Sequence, residues 1–359
     1  MTRPAQVVIN LAALRHNLSR VRQLAPRSRI MAVVKADAYG HGLARVTRAL
    51  SDADAFGVAC LEEAEEVRGA GIDKPVVLLE GPYAAGEIAL IEKLGLEMIV
   101  HHEEQLQMLE ACRVQTPLKV WLKLDSGMHR LGFPPARVRD AHRRLLECGA
   151  VDKDIRLMTH LAVASDRAHP MTRQQLAEFD RVCRDLRGER SIANSAGILA
   201  WPDSHRDWVR PGLMLYGVSP LEDTTAADHD LRPVMTLRSR LISVKPIGKG
   251  ESVGYGASWI CPEDMLVGII ATGYGDGFPR HARSGTPVLV NDVRCAIIGY
   301  PSMDMLTVDL RQYPTARVGD EVQMWGESLS VQEVAGHAGT VPYELLCGVH
   351  KRLEFIEHG

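Results

Sequence analysis

The sequence has few features that would tie it to a membrane, a secretion route or a nucleic acid. Its longest run without a charged residue is residues 191–202, which is shorter than the ~20 apolar residues of a membrane span. The formal net charge of −3 gives no electrostatic footprint for nucleic acid or anionic lipid. Arg15 and His16 come too early for the apolar region of a signal peptide. We therefore expect a soluble, cytoplasmic protein with no nucleic-acid or membrane partner.

Metal sites, disulfides and nucleotide loops are also poorly represented. The 7 cysteines are an odd number and form no C-x-x-C pair, which argues against a disulfide framework and a zinc site. The 14 histidines include no H-E-x-x-H, and His101 and His102 are too close together for one face of a regular element. Neither G-x-G-x-x-G after the first strand nor G-x-x-x-x-G-K-[ST] occurs. No metal is expected, and the nucleotide-binding folds are disfavoured.

The first two thirds of the chain alternate short apolar runs with amphipathic helical patterns. Near-continuous apolar strands separated by helices are typical of parallel strands buried on both faces. Eight such runs fit a (β/α)8 barrel better than an open doubly wound sheet, although the pattern leaves that sheet possible. The predicted strands lie in runs 29–35, 54–59, 75–81, 96–100, 118–125, 155–161, 190–194 and 212–218.

After residue 231 the pattern changes to short alternating strands with turn signals. The length of 359 residues suggests two domains. The predicted fold class is thus α/β, a (β/α)8 barrel at residues 11–230 followed by a mainly β domain at residues 231–359. The first strand (residues 6–10, within 1–10) is surplus to the barrel, and we expect it to pair in the β domain. Asn10 is the expected cap of the helix that follows.

Polar residues recur where the barrel strands are predicted to end. Lys35 ends the first run, Lys123 and Asp125 end the fifth, His160 ends the sixth, and Arg210 precedes the eighth. Reactive residues sit at this end of such barrels. Residues 195–197 and 210–212 supply a hydroxyl, small residues and backbone N–H groups where such barrels commonly form a phosphate site. A lysine beside a phosphate site suggests a Schiff base to pyridoxal phosphate, with a barrel aldolase equally open.

Nine motifs, in chain order from residue 5 to about 350, resemble those of the alanine racemases. The first, VVKADAYGHG at 33–42, is similar to that family's cofactor-lysine motif. The others are WLKLDSGMHRLG (121–132), THLA (159–162), NSAG (194–197), WVRPGLMLYG (208–217), VGYGASW (253–259), GYGDGFPR (273–280), SMDM (302–305) and YELLC (343–347).

The resemblance implies a homodimer that interconverts L- and D-alanine with pyridoxal 5'-phosphate and supplies D-alanine for peptidoglycan. Lys35 would hold the cofactor, and Tyr255 of the partner subunit would face it as the second base. Both side chains have ordinary pKa values too high for efficient bases, so their surroundings must lower them. By resemblance His160 bonds Tyr255, and Arg210 lies behind His160 and faces the pyridine nitrogen.

The same resemblance assigns the remaining binding residues. Tyr39, Ser195, Tyr343 and the backbone of Gly212 and Leu213 would hold the phosphate. Substrate-binding residues would be Arg130, which also meets the cofactor, together with Met303, Tyr274 and Asp304. Lys123 matches a position that many members carboxylate, and an ordinary lysine bonded to Asp125 is the alternative.

Three residues depart from the family pattern. Asp37 stands where the family usually has Asn, which adds a negative charge near Lys35. Ser165 and Tyr300 replace the Asp and Arg that usually line the substrate access corridor. Loss of both charges is physically coherent, because loss of one would leave the other unpaired. This keeps open a racemase of broader or different specificity, such as for serine. A fold-related amino-acid decarboxylase is a further alternative, against which Arg210 argues.

Overall fold

The computed structural model describes residues 3–359 and confirms the predicted fold class. Eight parallel strands close into a barrel, in which each strand pairs with its neighbour in sequence and the last pairs with the first. An open sheet is therefore excluded. The barrel strands are β2 (Arg29–Val33), β3 (Ala55–Val58), β4 (Val76–Leu78), β5 (Glu97–Val100), β6 (Val120–Lys123), β7 (Arg156–Met158), β8 (Arg190–Ser191) and β9 (Trp208–Val209), preceded by β1 (Gln6–Asn10) outside the barrel.

The eighth barrel strand was predicted in the wrong place. It is β9, and the run 212–218 instead contains a 3₁₀ turn, Leu213–Tyr216. The strand cannot continue because Pro211 has no N–H to donate to a neighbour. The four residues of the 3₁₀ turn are all buried, so their apolar run resembles a strand. Arg210 consequently follows the last strand rather than preceding it.

Helices cover the barrel strands, and two more lie near the carboxyl end of the chain. Asn10 caps the first of them, since its side chain accepts a hydrogen bond from the Ala13 N–H at 2.9 Å. Within residues 3–359 no helix is long and apolar enough to cross a membrane. The helices are α1 (Leu11–Leu24), α2 (Lys35–Gly40), α3 (Leu43–Ala49), α4 (Leu61–Gly69), α5 (Ile88–Lys93), α6 (Glu103–Ala111), α7 (Pro135–Glu147), α8 (Met171–Cys183), α9 (Ser195–Ala200), α10 (Val331–Ala338) and α11 (Pro342–Cys347).

The rest of the chain forms an eight-stranded, mostly antiparallel sheet and a separate two-stranded sheet of β11 and β12. The strand order of the larger sheet is β13-β16-β15-β14-β17-β10-β1-β18, and β13 also pairs with β10. The first strand of the chain thus lies in this sheet, antiparallel to β10 and parallel to β18. The strands that follow the barrel are β10 (Met235–Ile247), β11 (Ser252–Val253), β12 (Trp259–Ile260), β13 (Met265–Ile270), β14 (Pro287–Val290), β15 (Val293–Ile297), β16 (Leu306–Asp309), β17 (Glu321–Trp325) and β18 (Glu354–His358).

Candidate active site

A cavity of about 1230 Å³ opens at the carboxyl ends of the barrel strands. Its wall includes Lys123 and Met158, the last residues of β6 and β7, which places it at the catalytic end of such barrels. Most of the predicted site residues share this wall. They are Lys35, Tyr39, Lys123, Arg130, His160, Ser195, Arg210, Gly212, Leu213 and Tyr343.

The other predicted site residues lie on the β domain, outside this cavity. Tyr255 is 70% exposed in a short 3₁₀ turn, and Tyr274 and Met303 are exposed as well. Tyr274 and Met303 belong to adjoining loops, since the Gly275 N–H donates to the Met303 carbonyl at 2.8 Å. Asp304 accepts a hydrogen bond from Arg352 at 2.8 Å. One chain therefore does not bring all predicted site residues together.

Four cationic side chains lie on the cavity wall without carboxylate partners. None of the four forms an ion pair within residues 3–359, whereas Arg156 at the opposite end of the barrel pairs with Glu97 and Glu189. Unpaired cations on a concave wall favour an anionic ligand. The four groups are Lys35, Lys123, Arg130 and Arg210.

Arg210 is buried and is held by neutral acceptors. Its Nη1 donates to Ser191 Oγ at 2.6 Å, and its Nη2 donates to the Thr159 carbonyl at 2.7 Å. Burial lowers the pKa of Arg210 to about 10, which still leaves the guanidinium charged at neutral pH. The barrel core thus presents a fixed cation to the cavity.

His160 lies beside Arg210, with its Nδ1 3.3 Å from Arg210 Nη2. Burial, and next the charge of Arg210, lowers the pKa of His160 well below its ordinary value. The ring is therefore neutral at neutral pH. Because Arg210 can only donate, Nδ1 must accept, and the ring proton lies on Nε2.

The segment α2, after β2, is not a right-handed helix but contains a left-handed turn, which we define as residues 36–39. Its four residues have φ between +52° and +55°, and none of them is glycine. This conformation costs about 1–2 kcal/mol for each non-glycine residue. Glu63 stabilises it by accepting from the N–H of Ala36 at 2.6 Å, and Asp37 does so by accepting from the N–H of Leu43 at 2.7 Å. The turn thereby fixes the position of Lys35, which directly precedes it, and of Tyr39, its last residue.

The left-handed turn also meets the β domain. Gly40 follows it with φ +77°, and a Cβ there would lie 2.2 Å from the Leu346 carbonyl oxygen of α11. This close approach brings Tyr343, on the same helix, to the cavity, where its ring centroid lies 5.9 Å from that of Tyr39. The phenolic groups of Tyr39 and Tyr343 therefore converge within one chain.

A small cradle lies where the loops after β8 and β9 meet. Ser195, the first residue of α9, accepts at Oγ from the N–H groups of Gly212 at 2.9 Å and Met214 at 3.3 Å. A Cβ at Gly212 would lie 2.5 Å from the Tyr39 hydroxyl oxygen, so only glycine lets that hydroxyl approach the backbone here. The hydroxyls of Ser195 and Tyr39 and the backbone at Gly212 meet on the cavity wall, an arrangement suited to phosphate.

Lys123 is buried, and burial followed by the charges of Arg210 and Arg130 lowers its pKa to about 8. Its predicted alternative partner, Asp125, is otherwise engaged. Asp125 accepts from the N–H of Gly127 at 3.0 Å and meets His129 Nδ1 at 2.9 Å. The alternative of a lysine bonded to Asp125 is therefore wrong, since no such bond occurs within residues 3–359.

The three departures from the family pattern are each accommodated locally. Asp37 pairs with the exposed Lys351 at 3.5 Å and accepts from the Leu43 N–H, so its carboxylate has partners outside the cavity wall. Ser165 lies on the cavity wall and donates to Glu222 Oε1 at 3.3 Å. Tyr300 lies on the β domain, where the Arg280 guanidinium stacks 4.9 Å from its ring centroid.

Sequence reasoning missed three residues that support the site. Glu63 and Glu222 gave no signal because each acts through a contact between loops distant in sequence. His41 lies inside the first motif, next to glycines on both sides, but no partner for its ring is visible in the sequence.

Comparisons with known proteins cover nearly the whole chain. A family profile for the alanine racemase N-terminal domain matches residues 9–220, and one for the C-terminal domain matches residues 234–357. The chain is 54% identical over 348 residues to an alanine racemase of Nitrosococcus oceani, covering 97% of this chain and 98% of that relative. It is 50% identical over 354 residues to one of Halorhodospira halophila, covering 98% and 97%.

Solved structures give the same result. The biosynthetic alanine racemase of Pseudomonas aeruginosa superposes with a TM-score of 0.98 at 48% identity, with 100% of both chains covered. The alanine racemase of Acinetobacter baumannii superposes with a TM-score of 0.94 at 38% identity, covering 99% of this chain and 100% of that one. These matches agree with the motifs, the barrel and the cavity, and this chain is an enzyme that belongs to the alanine racemase family.

Proposed function

We propose that this enzyme interconverts L- and D-alanine with pyridoxal 5'-phosphate and two proton-carrying side chains. The observation that carries the proposal is one cavity whose wall joins Lys35, an arginine without an ion-pair partner among residues 3–359, and the cradle at Ser195 and Gly212. Supply of D-alanine for peptidoglycan would be its role. The proposal includes the division into domains at residues 11–230 and 231–359, with the first strand in the second domain.

The residues present fit this cofactor. Ser195 and Gly212 line the cavity, and a side chain at position 212 would displace the Tyr39 hydroxyl from the cradle. Lys35 would bind the cofactor carbon covalently through Nζ, and Arg210 would face the ring nitrogen. When bound, the cofactor makes the substrate Cα–H acidic enough to be removed. The phosphate would be held by Tyr39, Ser195, Gly212, Leu213 and Tyr343.

Arg210 would set the electronic character of the site. Its pKa of about 10 keeps the guanidinium protonated at neutral pH, and it has only donors. It therefore leaves a facing nitrogen unprotonated. In a decarboxylase of related fold a carboxylate would stand there, so the fixed cation favours the racemase over that alternative.

Inversion at Cα requires proton carriers on opposite faces of the substrate. Lys35 Nζ would serve one face and Tyr255 Oη the other. Tyr255 is exposed on the β domain and does not line its own chain's cavity, so it would act in the cavity of a second copy. This supports a homodimer with each site formed between two subunits. Met303, Tyr274 and Asp304 would reach the substrate from the same partner surface.

His160 would orient Tyr255 of the partner subunit. With Nδ1 facing Arg210, its Nε2–H is the free donor, and a donor favours the phenolate over the phenol. The positive charge that favours the phenolate would then come from Arg210 rather than from an imidazolium.

Lys123 would carry a carbamate that orients Arg130. A pKa of about 8 makes a substantial fraction of this amine neutral and nucleophilic towards CO₂. The carbamate formed with CO₂ would be an anion among Arg130, Arg210 and Lys35. Those three cations otherwise have no ion-pair partner within residues 3–359. Arg130 so held would bind the substrate carboxylate.

A racemase of broader specificity is the second candidate. Ser165 removes a charge from the cavity wall, although Glu222 at 3.3 Å returns a carboxylate to the same place. A panel of alanine, serine and other small amino acids would distinguish the two. Strict preference for alanine would eliminate broader specificity.

Subunit complementation tests the main proposal. Lys35→Ala and Tyr255→Phe variants should each be inactive, because each lacks one proton carrier at both sites. Heterodimers of the two would have one intact site, so an equal random mixture should recover about a quarter of wild-type activity. Mixing Lys35→Ala with the Lys35→Ala/Tyr255→Phe double variant is the control and should recover none. Full activity of Tyr255→Phe alone would contradict the proposal.

A further inference from the structure

His41 lies directly behind the proposed cofactor cradle and has no role in the function described above. Its side chain is completely buried, and its Nε2 has no hydrogen-bond partner within residues 3–359. Burial of an imidazole nitrogen without a hydrogen-bond partner costs free energy, so hydrogen bonds of the other ring nitrogen must offset it. The contacts of Nδ1 identify that compensation.

Nδ1 of His41 lies 2.9 Å from the Tyr39 carbonyl oxygen and 3.1 Å from the Ala38 carbonyl oxygen. Two carbonyls can only accept, so Nδ1 carries the proton and donates to both. Burial lowers the pKa of His41 to about 4, which keeps the ring neutral and Nε2 unprotonated at neutral pH. The ring thus ties together the last two carbonyls of the left-handed turn.

The ring also supports Tyr39 from behind. His41 packs on Tyr216 with ring centroids 4.6 Å apart, and Tyr216 stacks on Tyr39 at 4.7 Å. Tyr216 in turn donates from its hydroxyl to the Val33 carbonyl at 3.0 Å, at the end of β2. His41 therefore contacts the backbone of the turn directly and the Tyr39 ring through one intervening side chain.

We propose that His41 is a positioning residue: its Nδ1–H holds the left-handed turn so that the Tyr39 hydroxyl stands in the phosphate cradle beside Gly212. This rests on the proposed function, because the cradle is assigned there to the cofactor phosphate. The turn lacks glycine, so without this donor its residues would relax towards ordinary backbone conformations. In that relaxed state Tyr39 would lie outside the cradle. The apparent cofactor affinity would then be reduced in proportion to the fraction of molecules in which Tyr39 still occupies it.

Three substitutions at position 41 distinguish the role of the Nδ1–H donor from that of the aromatic ring. His41→Asn retains an N–H donor near the Nδ1 position, His41→Leu has similar size without a donor, and His41→Phe retains the stacked ring without a donor. The measurement is titration of the cofactor-free enzyme with pyridoxal phosphate, followed by absorbance. We expect Asn to bind within about threefold of wild type, and Leu and Phe to bind about ten- to a hundredfold more weakly, since a lost buried hydrogen bond has consequences of that size.

A parallel titration with pyridoxal, which lacks the phosphate, distinguishes positioning from general damage. Leu and Phe should weaken pyridoxal much less than pyridoxal phosphate, because only the latter uses the cradle. Equal weakening of both ligands, or wild-type affinity in Leu and Phe at reduced melting temperature, would overturn the proposal. Wild-type protein that fails to bind pyridoxal phosphate would instead overturn the proposed function. If Phe does not fold, the Asn and Leu pair still decides the matter.

Discussion

Arg210 Nη2 lies 3.3 Å from His160 Nδ1, so a buried guanidinium contacts a half-buried imidazole. Two cations at this separation in a buried site would repel each other strongly. The structure avoids this by keeping His160 neutral, with its pKa lowered first by burial and then by Arg210. The arginine therefore determines the tautomer of the histidine and adds to the burial that keeps its ring uncharged.

Removal of the arginine charge should change the titration of His160. In Arg210→Met the second-largest cause of the lowered pKa disappears, so the pKa of His160 should move upward towards 6.5. Nitrogen-15 NMR of labelled histidine would follow it, with His160→Gln used to assign the signal. An unchanged His160 signal between pH 5 and 8 would show that burial alone is sufficient.

The buried histidines should make the enzyme less stable in mild acid. The unfolded chain protonates His41 below pH 6.5, whereas the folded chain keeps it neutral down to about 4, so folding loses stability as the pH falls from 6.5 to 4. At 1.36 kcal/mol per pK unit, the loss from His41 between pH 7.5 and 5 is about 2 kcal/mol. His160 acts in the same direction.

Urea unfolding at the two pH values, compared between wild type and His41→Asn, isolates the contribution of His41. The wild type should lose about 2 kcal/mol more than the variant, because Asn does not titrate. The nearby Asp37 and Arg45 have smaller and opposite effects on this histidine. Equal losses in both proteins would contradict the assignment.

Gly212 is the position at which one methyl group should close the phosphate cradle. Gly212→Ala would place Cβ 2.5 Å from the Tyr39 hydroxyl oxygen, so we expect pyridoxal phosphate affinity to fall about tenfold or more. Tyr39→Phe in the same chain removes the clashing atom and should restore part of the lost affinity. Gly86→Ala, where no atom lies within 4 Å of the new methyl, is the matched control. Unchanged affinity in Gly212→Ala would place the phosphate elsewhere.

Lys123 should take up CO₂ at mildly alkaline pH. Its pKa of about 8 predicts increasing carbamate formation as the pH rises from 7 to 9 in bicarbonate. Carbon-13 bicarbonate should give a carbamate NMR signal in the wild type that is absent in Lys123→Met. Lys119 and the other surface lysines remain in both proteins and supply the background. Absence of a difference between the two spectra would leave Lys123 as a plain amine.

The barrel was predictable because its buried strands form uninterrupted apolar runs at regular spacing. The eighth strand was not, because β9 has only two residues and the buried 3₁₀ turn after Pro211 has the more apolar sequence. Boundaries differ elsewhere as well: run 118–125 contains the four-residue strand β6, while Leu118 and Leu124 beside it form only isolated bridges.

The cavity wall was largely predictable, since Lys35, Lys123 and Arg210 interrupt or end apolar runs where such barrels place their chemistry. Its detailed conformation was not. Nothing in KADAYG indicates a left-handed turn, because alanine, aspartate and tyrosine all favour negative φ. Contacts between distant segments impose that conformation, and pattern reasoning along the chain does not detect them.

The left-handed turn contains no glycine that would give its backbone other conformations. Hydrogen bonds of Glu63, Asp37 and His41 hold it in place. The conformation of the turn is therefore formed before any ligand binds. Little of a ligand's binding free energy would go into ordering this part of the chain, so more would remain as affinity. Preorganisation at the end of the first barrel strand, rather than induced fit, would then determine how tightly the cavity retains what it binds.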